Sequence, residues 1–411
     1  MISNRTVSAS AVRDSSAVKR WDFEADVVVV GLGAAGACVA IEAAEAGADV
    51  LVLERASGGG GTSAMSGGLI YLGGGTPVQQ ACGFEDSPEE MYKFLMAACG
   101  PEPDAAKVRI FCDESVAHFH WLVEHGVPFK HSFYPEPFME APTDDCLVYS
   151  GGEDAYPFDR IAKPAPRAHK PQAPGAAGGF FMQRLVSATE RSGARLVTDA
   201  CCETLVVDKQ GAVAGVVVWH EQHERFVRAR RGVVLTAGGF IQNRDMVARY
   251  SPLLWKCSYK LGQDGDDGRA IRMAMGAGAD IILMDAGEVA IPLTPPRRLM
   301  RGILVNRFGQ RFINEDSYYG HVGQECLFRQ DGKMYLIADN VVYERNQAGF
   351  KASHVEESIA DLERSLGMPT GTLQHTVEFY NDHATRGADP VFHKSAAFLQ
   401  PLMTPPYAAI D

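Results

Sequence analysis

The chain has 411 residues, of which 46% are hydrophobic and 22% charged, and its formal net charge at pH 7 is −12. This length predicts two or three domains, and an acidic balance without a long basic run argues against nucleic acid or an anionic membrane surface as partner. No apolar window reaches the roughly 18 residues of a membrane span. Residues 1–20 lack the apolar stretch of a signal peptide, so we expect a disordered lead-in and a cytoplasmic protein that binds small molecules.

The nine cysteines and twelve histidines do not predict a metal site. The cysteine count is odd and no Cys-x-x-Cys pair occurs, which indicates reduced cysteines in the core. His118, His120 and His125 cluster on one predicted helix, but their spacing does not match a compact zinc set. We expect packed or solvated histidines and no bound metal.

Residues 26–54 have the pattern of a dinucleotide-binding unit. A buried strand leads into Gly31-Leu32-Gly33-Ala34-Ala35-Gly36, an alanine-rich helix and a second strand that ends at Glu54. In this motif the first glycine makes a tight turn, the second lets the backbone approach a pyrophosphate, and the third lets helix pack on strand. The phosphates would lie at the helix N-terminus, and Glu54 would bind ribose hydroxyls. This disfavours NADP and leaves NAD and FAD open.

The next segment, residues 57–69, contains six glycines and four hydroxyl side chains. A flexible loop is one interpretation. Its position directly after the ribose-binding strand favours another, in which backbone N–H groups wrap a second part of the same cofactor.

Helix and loop signals follow. Ser87-Pro88-Glu89-Glu90 has capping-box spacing with proline at the first helical position, and it predicts a helix through residue 98. A second helix is predicted over residues 104–125. Residues 126–178 are rich in Pro, Gly and aromatic side chains, which is typical of long binding loops that line a pocket.

The second half of the chain alternates strand and helix patterns. A helix over 179–192 precedes strand-like runs, which predict a β-meander after the βαβ unit; the runs are at 194–198, 203–208, 212–220 and 225–229. Residues 232–240 predict one more buried strand that ends in a glycine turn, where the backbone could approach the cofactor again. Beyond about residue 279, a strand with a hairpin at 307–310 and helices at 360–367 and 372–384 predict an inserted domain.

Taken together, these segments resemble flavoproteins of the fumarate reductase and 3-ketosteroid dehydrogenase superfamily, over residues 21–411. The most specific pieces are residues 303–315, which contain the family pattern V-N-x-x-G-x-R-F-x-x-E, and residues 376–381 with Gly387, Asp389 and Phe392.

The resemblance implies an α/β fold with a Rossmann-like, glutathione-reductase-type FAD-binding domain and β-meander over residues 21–278. An inserted α+β cap domain, which is catalytic in the family, would cover residues 279–401. Residues 402–411 would begin a return to the FAD domain, and the glycine-rich segment that continues this return in the family lies beyond the chain.

The cofactor implied by the resemblance is FAD. Family members with covalent FAD use a histidine in the loop after the ribose glutamate, and this loop has none, so we expect non-covalent binding. The implied contacts are Gly31, Gly33, Ala35 and Gly36 at the pyrophosphate, Glu54 at the adenosine ribose, Thr62, Ser63, Ser66, Gly67 and Gly68 on the isoalloxazine side, Cys202 at the adenine through its backbone, and Ala237 and Gly238 at the flavin linkage. Arg55 is a further implied cofactor contact.

The resemblance leaves the substrate open between two classes. Fumarate reductases clamp carboxylates with basic side chains, a role that Arg297, Arg298 and Arg301 could fill, although three such close residues also suit a solvated face. The long aromatic loops favour an apolar, steroid-like substrate. A truncated chain that binds FAD without turnover is a third interpretation.

Residues 315–320 are where ketosteroid dehydrogenases of the Δ4-(5α) kind resemble this chain most and carry a catalytic tyrosine. We predict Tyr318 as the base that removes H4, with the C5 hydride passing to flavin N5 and then to an unidentified electron acceptor. Tyr319 is the alternate base, and both tyrosines could instead be core residues of the cap. Because the ordinary tyrosine pKa is about 10, such a base needs neighbouring donors or a proton relay.

Overall fold

The computed structural model describes residues 12–136, 140–291, 297–345 and 351–411. Within these ranges the strands are β1 Val12–Asp14, β2 Phe23–Val30, β3 Val50–Leu53, β4 Ile70–Tyr71, β5 Leu147–Val148, β6 Ala168–His169, β7 Arg195–Val197, β8 Cys201–Val207, β9 Val213–His220, β10 His223–Leu235, β11 Ile303–Asn306, β12 Met334–Ala338, β13 Ala352–Glu356 and β14 Tyr407–Ile410. The α-helices are α1 Ala34–Glu45, α2 Pro77–Ala81, α3 Pro88–Ala98, α4 Ala105–Asp113, α5 Ser115–Glu124, α6 Gly178–Arg191, α7 Arg244–Tyr250, α8 Arg269–Gly276, α9 Tyr319–Arg329, α10 Ile359–Ser365 and α11 Thr372–Ala384.

The chain divides into two compact units. Unit 1 comprises Met1–Gly68, Leu122–Pro128 and Ala176–Ala286, and unit 2 comprises Leu69–Trp121, Phe129–Gly175 and Gly287–Asp411. This division differs from the sequence-based boundary after residue 278, because unit 1 extends to residue 286. It also differs in that most of residues 69–175 belong to unit 2. Segments distant in sequence form one unit through strand pairing, which local patterns do not reveal.

Unit 1 is built on a seven-stranded sheet of order β1-β8-β9-β10-β2-β3-β7. Strands β10, β2, β3 and β7 run parallel, and Val28 and Val29 at their centre are fully buried. Strands that are covered on both faces read as continuous apolar runs, which explains the valine run of β2. The predicted βαβ unit is confirmed as β2, α1 and β3.

The predicted β-meander is confirmed in β8, β9 and β10, which pair antiparallel. One predicted member is wrong: the run at 194–198 is β7, which lies beside β3 at the opposite edge of the sheet. Two other predicted runs join into the single strand β10. Arg230 does not interrupt it, because its guanidinium pairs with Asp26 at 2.8 Å and Asp49 at 2.9 Å.

The disordered lead-in predicted over residues 1–20 is wrong from residue 12 onward. Strand β1 pairs parallel with β8, and Val12 packs against the core of the seven-stranded sheet. Arg13 donates two hydrogen bonds to the Glu224 carboxylate, at 2.8 and 3.1 Å. A three-residue edge strand is too short to show periodicity, so its ordering depends on these distant partners. Residues 1–11 lie outside the described residues.

The larger sheet of unit 2 is antiparallel, with order β11-β12-β14-β13. Alternate residues of β11 face opposite cores, as the strand period of two requires. Ile303 and Val305 pack with residues of α10 and α11, whereas Leu304 packs with residues of α9. The helices predicted at 360–367 and 372–384 are confirmed within two residues as α10 and α11.

The last strand, β14, belongs to this sheet, where it pairs with β12 and β13. This differs from the expectation that residues 402–411 begin a return to the nucleotide-binding domain. The physical reason is that Ala408, Ala409 and Ile410 are buried between the two neighbouring strands and complete their ladder.

A buried cluster of four charged side chains joins the two family motifs of unit 2. Arg311 donates to Glu315 at 2.8 and 3.0 Å and to Asp389 at 2.9 and 3.1 Å. Lys394, fully buried, lies 3.2 Å from Glu315 and donates to the Gly302 carbonyl at 2.6 Å. Burial alone would raise the pKa of Glu315, but Arg311 and Lys394 outweigh burial and hold that pKa below its ordinary value. The cluster is therefore charged and internally neutralised.

The helix and loop predictions for residues 87–178 hold in outline and differ in detail. Ser87 caps α3 by accepting from the Glu90 N–H at 3.2 Å, but the Glu90 carboxylate accepts from Lys163 instead of closing the capping box. The helix predicted over 104–125 is two helices, α4 and α5, where buried Ser115 accepts from the Gly73 N–H at 2.8 Å. The predicted loops also contribute β5 and β6 to a small sheet with β4.

We expect Gly36→Ala to destabilise the fold even though alanine is the better helix former. A Cβ at Gly36 would lie 2.0 Å from the Gly31 carbonyl oxygen. Overpacking of this kind costs about 1–3 kcal/mol, more than the ~1 kcal/mol that alanine contributes in an open helix. Chemical denaturation of the variant should show this loss. Gly58→Ala, where nothing lies within 4 Å, is the control and should change the free energy of unfolding by less than ~0.5 kcal/mol. A Gly36→Ala variant more stable than wild type would contradict the packing argument.

Candidate functional site

A cleft of about 1110 Å³, including space open to solvent, lies in unit 1. It is formed where β2, β3 and β10 end, since residues 31, 54 and 236 follow those strands directly. The carboxyl ends of parallel strands are where open α/β sheets bind ligands. Of the residues predicted to contact the cofactor, those that line this cleft are Gly31, Gly33, Ala35, Glu54, Arg55, Thr62, Ser63, Cys202, Ala237 and Gly238.

Glycine occurs at the three motif positions for different physical reasons. Gly31 has a positive φ of 98°, and a Cβ there would lie 2.8 Å from the Thr236 carbonyl oxygen. Gly36 is buried and does not line the cleft, and glycine is required there by helix packing. A Cβ at Gly33 would meet only the Ser63 hydroxyl, at 3.4 Å, so the chain's own packing does not require glycine there. Gly33 is the N-cap of α1, and its missing side chain leaves the free N–H groups of that helix accessible to an anion.

Glu54 ties the glycine turn to the end of β3. Glu54 is 8% exposed, and its carboxylate accepts from the Leu32 N–H at 2.7 Å and the Ala56 N–H at 2.8 Å. Each carboxylate oxygen has a second acceptor site, so a ribose hydroxyl can still bind. The cleft thus combines a helix N-terminus with an acidic acceptor, as an ADP group requires.

A loop that the sequence analysis missed closes one side of this cleft. Thr62 donates to the buried Asp266 carboxylate at 2.5 Å and accepts from the Gln263 N–H at 3.0 Å. A Cβ at Gly238 would lie 2.3 Å from Asp266, so the loop packs directly on the turn after β10. The signal that could have found it is the run Gly-Asp-Asp-Gly at 265–268, in which acidic residues stand between glycines.

Two arginines of this cleft are held by one carboxylate. Asp267 lies 3.0 Å from Arg55 and 3.4 Å from Arg269. Arg269 also donates to the Cys201 sulfur at 3.0 Å. Arg269 and Cys201 were missed because neither belongs to a local motif.

Ser66, Gly67 and Gly68, predicted at the isoalloxazine side, do not line this cleft. The Ser66 and Gly67 carbonyls accept from the N–H groups of Gly178 and Ala177, at 3.2 and 2.9 Å. Ser66 and Gly67 therefore cap the N-terminus of α6, which needs acceptors for its free N–H groups.

Unit 2 contains a second cleft, of about 880 Å³ including space open to solvent. Its walls combine aromatic and apolar side chains with three acidic side chains and three serines. The lining residues are Tyr134, Pro135, Glu136, Tyr149, Ser150, Gly152, Asp154, Ala155, Met300, Asp316, Ser317, Tyr318, Tyr319, Ser395, Ala397 and Phe398. The prediction that the aromatic loops of 126–178 line a pocket is confirmed for residues 134–136, 149, 150, 152, 154 and 155.

The two predicted catalytic tyrosines lie together in this second cleft, at the start of α9. Their ring centroids are 4.4 Å apart, and the Tyr318 hydroxyl donates to the Glu288 carboxylate at 3.2 Å. Burial, together with Tyr319 and Glu288, raises the pKa of Tyr318 well above its ordinary value. Burial also raises the pKa of Tyr319, although the polar contact with the Tyr318 side chain opposes this. Both hydroxyls are therefore protonated at neutral pH.

A buried carboxyl supports the cleft wall behind Tyr318. Gly152 lies against Tyr318, where a Cβ would come within 3.2 Å of its backbone nitrogen. The adjacent Glu153 is 1% exposed and accepts from the Tyr71 hydroxyl and the Gly151 N–H, both at 2.9 Å. Burial raises the pKa of Glu153 to about 7. This acid was missed because nothing local marks it as buried.

The remaining candidates of the sequence analysis do not converge on a site. The side chains of Arg298 and Arg301 are exposed, as a solvated face predicts, and that of Arg297 lies outside the description. Across the described ranges, no group of three metal-ligating side chains occurs. In the same part of the chain, none of the helices has the length and apolar character to cross a membrane.

A family model described as FAD binding domain matches residues 26–411. A crystal structure of 3-ketosteroid-Δ4-(5α)-dehydrogenase from Rhodococcus jostii RHA1, in complex with 4-androstene-3,17-dione, is 47% identical with a TM-score of 0.93, and the match covers 98% of this chain and 85% of that chain.

Two curated relatives show the range of similar activities. The 3-oxo-5-alpha-steroid 4-dehydrogenase of Comamonas testosteroni is 30% identical over 86% of this chain and 78% of its own length. A probable fumarate reductase of Shewanella frigidimarina is 27% identical over 93% of this chain and 63% of its own length. The resemblance drawn from the sequence motifs is confirmed.

We expect Glu153→Gln to remove a pH dependence of stability. The pKa of Glu153 is raised from 4.5 to about 7 in the folded chain, so its protonated form stabilises the fold fully below about pH 4.5. This contribution is lost as the pH rises to about 7. In denaturation experiments, the free energy of unfolding of wild type minus that of the variant should fall by ~3 kcal/mol between these pH values. A constant difference would contradict a buried, neutral Glu153.

Proposed function

We propose that this chain dehydrogenates a 3-ketosteroid between C4 and C5. The chain belongs to the FAD binding domain family and is an FAD-dependent oxidoreductase of the fumarate reductase and steroid dehydrogenase group. The observation that carries the proposal is the aromatic cleft of unit 2, in which Tyr318 and Tyr319 lie side by side. The names of the Rhodococcus and Comamonas proteins support the same substrate class.

FAD is the cofactor, and we assign its binding to the cleft of unit 1. Gly33, Ala35 and the N-terminus of α1 would hold the pyrophosphate, and Glu54 the adenosine ribose. The other assigned contacts are Gly31, Arg55, Thr62, Ser63, Cys202, Ala237 and Gly238. No histidine occurs in residues 55–69, which supports non-covalent binding. When bound, FAD supplies the acceptor for the hydride that leaves the steroid.

Unit 1 is thus proposed as the FAD-binding domain and unit 2 as the cap that carries the substrate cleft. The aromatic side chains in the walls of that cleft suit contact with a rigid apolar ligand. Residues 66–68 would support the FAD loop from behind, through their contacts with α6.

Tyr318 is proposed as the base and Tyr319 as the alternate. The 3-ketone acidifies the hydrogens on C4, and a positioned oxygen removes one of them as the hydride leaves C5. Because the pKa of Tyr318 is raised, it reacts as a hydroxyl that must release its own proton when it takes the proton of the substrate. A neighbouring acceptor is therefore part of the chemistry.

The charge of the cleft lining favours steroid dehydrogenation over the reduction of a small unsaturated acid. Within the described part of the chain, its lining contains the acids Glu136, Asp154 and Asp316 and no Arg, Lys or His. A dicarboxylate would be repelled by these acids, whereas a neutral steroid is not.

We expect wild type to reduce dichlorophenolindophenol with a 3-keto-5α-steroid, and Tyr318→Phe to lower kcat by about 10²–10⁴-fold, because removal of a general base has effects of this size. Tyr319→Phe tests the alternate base in the same assay. Tyr149→Phe, which changes a cleft wall, is the control and should alter KM more than kcat. Full turnover by both the Tyr318 and Tyr319 variants would refute the assignment of the base. Oxidation of reduced viologen by fumarate, without steroid turnover, would favour the reductase.

We expect Gly33→Ala to weaken FAD binding without loss of stability. The new methyl group has room in the protein but would stand where the pyrophosphate approaches α1. Titration with FAD, followed by flavin fluorescence, should show at least a tenfold weaker affinity, or ~1.4 kcal/mol. Gly58→Ala is the control, and unchanged affinity of the Gly33 variant would contradict the assignment. Purified wild type without flavin absorbance would contradict FAD binding itself.

A further inference from the structure

An acid that nothing else in the site uses contacts the proposed base. The Glu288 carboxylate accepts the hydrogen bond of the Tyr318 hydroxyl at 3.2 Å, and the Glu288 side chain is exposed to solvent. The Glu288 side chain therefore contacts both the proposed base, Tyr318, and the solvent.

The backbone around Glu288 is held in place, so this contact does not depend on a loose surface chain. Val289 is 9% exposed, and a Cβ at Gly323 of α9 would lie 2.4 Å from the Val289 carbonyl oxygen. Two residues further on, the Ile291 N–H donates to the Tyr319 carbonyl at 3.4 Å. The segment that carries Glu288 is therefore packed on the start of the helix that carries the tyrosines.

We propose that Glu288 takes the hydroxyl proton of Tyr318 while Tyr318 takes H4 of the steroid, and that Glu288 then passes this proton to water. This inference rests on the proposed function. The C4–H bond breaks as an O–H bond forms on Tyr318, and the original O–H bond of Tyr318 breaks as one forms on Glu288. The electron pair of the C4–H bond becomes the new C4=C5 bond, and FAD, when bound, would supply the acceptor for the hydride that leaves C5.

The other titratable groups around this acid do not replace it. They are Tyr318, Tyr319 and, near Tyr319, Glu140. Burial raises the pKa of Glu140, so its carboxylate is less available as a proton acceptor, and it is not exposed as Glu288 is. Glu288 is also the group whose oxygen meets the Tyr318 hydroxyl directly. Removal of its carboxylate therefore leaves Tyr318 without the acceptor that faces solvent.

The test compares Glu288→Gln, Glu288→Ala and Glu288→Asp in the FAD-loaded full chain. Gln keeps the size but cannot take a proton, so we expect kcat to fall at least tenfold, the lower part of the range for proton-transfer groups, with KM within about twofold. Asp should recover part of kcat. Formate should restore the Ala variant, since a small carboxylate can enter from solvent, and it should not restore Ala combined with Tyr318→Phe.

A second readout separates proton transfer from oxidation. Under anaerobic conditions without an electron acceptor, wild type in D₂O should incorporate deuterium beside the 3-ketone of the steroid, as mass spectrometry measures. Glu288→Gln should slow this exchange by a similar factor. Glu325→Gln, which removes a carboxylate of α9 that lies 3.3 Å from Arg329, is the matched control and should change neither rate.

The outcomes distinguish the relay from the proposed function. If the tyrosine variants lose turnover while Glu288→Gln and Glu288→Ala keep kcat and exchange within twofold, the relay is refuted and the steroid function stands. If formate fails to restore Glu288→Ala although Asp does, the role of Glu288 is positional, and the relay is again refuted. If wild type neither oxidises nor exchanges any 3-ketosteroid, the proposed function fails and the relay fails with it.

Discussion

The buried contact between Arg311 and Glu315 is the constraint on which the geometry of unit 2 depends. Glu315 accepts from the Leu304 N–H at 2.9 Å, so the same carboxylate fixes an edge of the larger sheet and the chain that leads to Tyr318 three residues later. Asp389 and Lys394 complete the neutralisation. Removal of one partner from such a cluster costs about 3–5 kcal/mol, because it leaves a buried charge without compensation. The tyrosines are therefore positioned by electrostatics beneath them as well as by packing.

The two clefts differ in the groups that line them and in the chemistry that these groups support. In unit 1 the cleft is formed by backbone, at strand ends and a helix N-terminus, with Glu54 as the polar acceptor that also stabilises the turn. In unit 2 the cleft is formed by aromatic side chains and acids, and its hydroxyls are kept protonated by burial. For the tyrosine base that we propose, a protonated hydroxyl requires a proton acceptor beside it, and the exposed carboxylate of Glu288 next to Tyr318 is proposed for that role.

Local sequence patterns predicted the structure correctly wherever the residues that determine it lie in one continuous stretch of the chain. The valine run of β2, the glycine turn and the acidic end of β3 predict both the βαβ unit and its ligand, because their spacing is set by backbone geometry alone. The predicted strand positions were less accurate where contacts between distant segments of the chain determine the structure. The short β1 and the position of β7 depend on edge pairing, and β14 joins the sheet of unit 2 because its alanines fill a gap between two strands.

The sequence by itself determined the cofactor class, the main sheet of unit 1 and the segment that carries the tyrosines, since motif spacing encodes each of these locally. Only the tertiary structure decided which residues share a cleft. It brings Asp266 and Arg269 to the cleft of unit 1, turns Ser66 and Gly67 toward α6, and places Glu288 against Tyr318. The physical reason is that burial and hydrogen-bond partners are properties of the folded surroundings, and thirty residues separate that acid from its tyrosine along the chain.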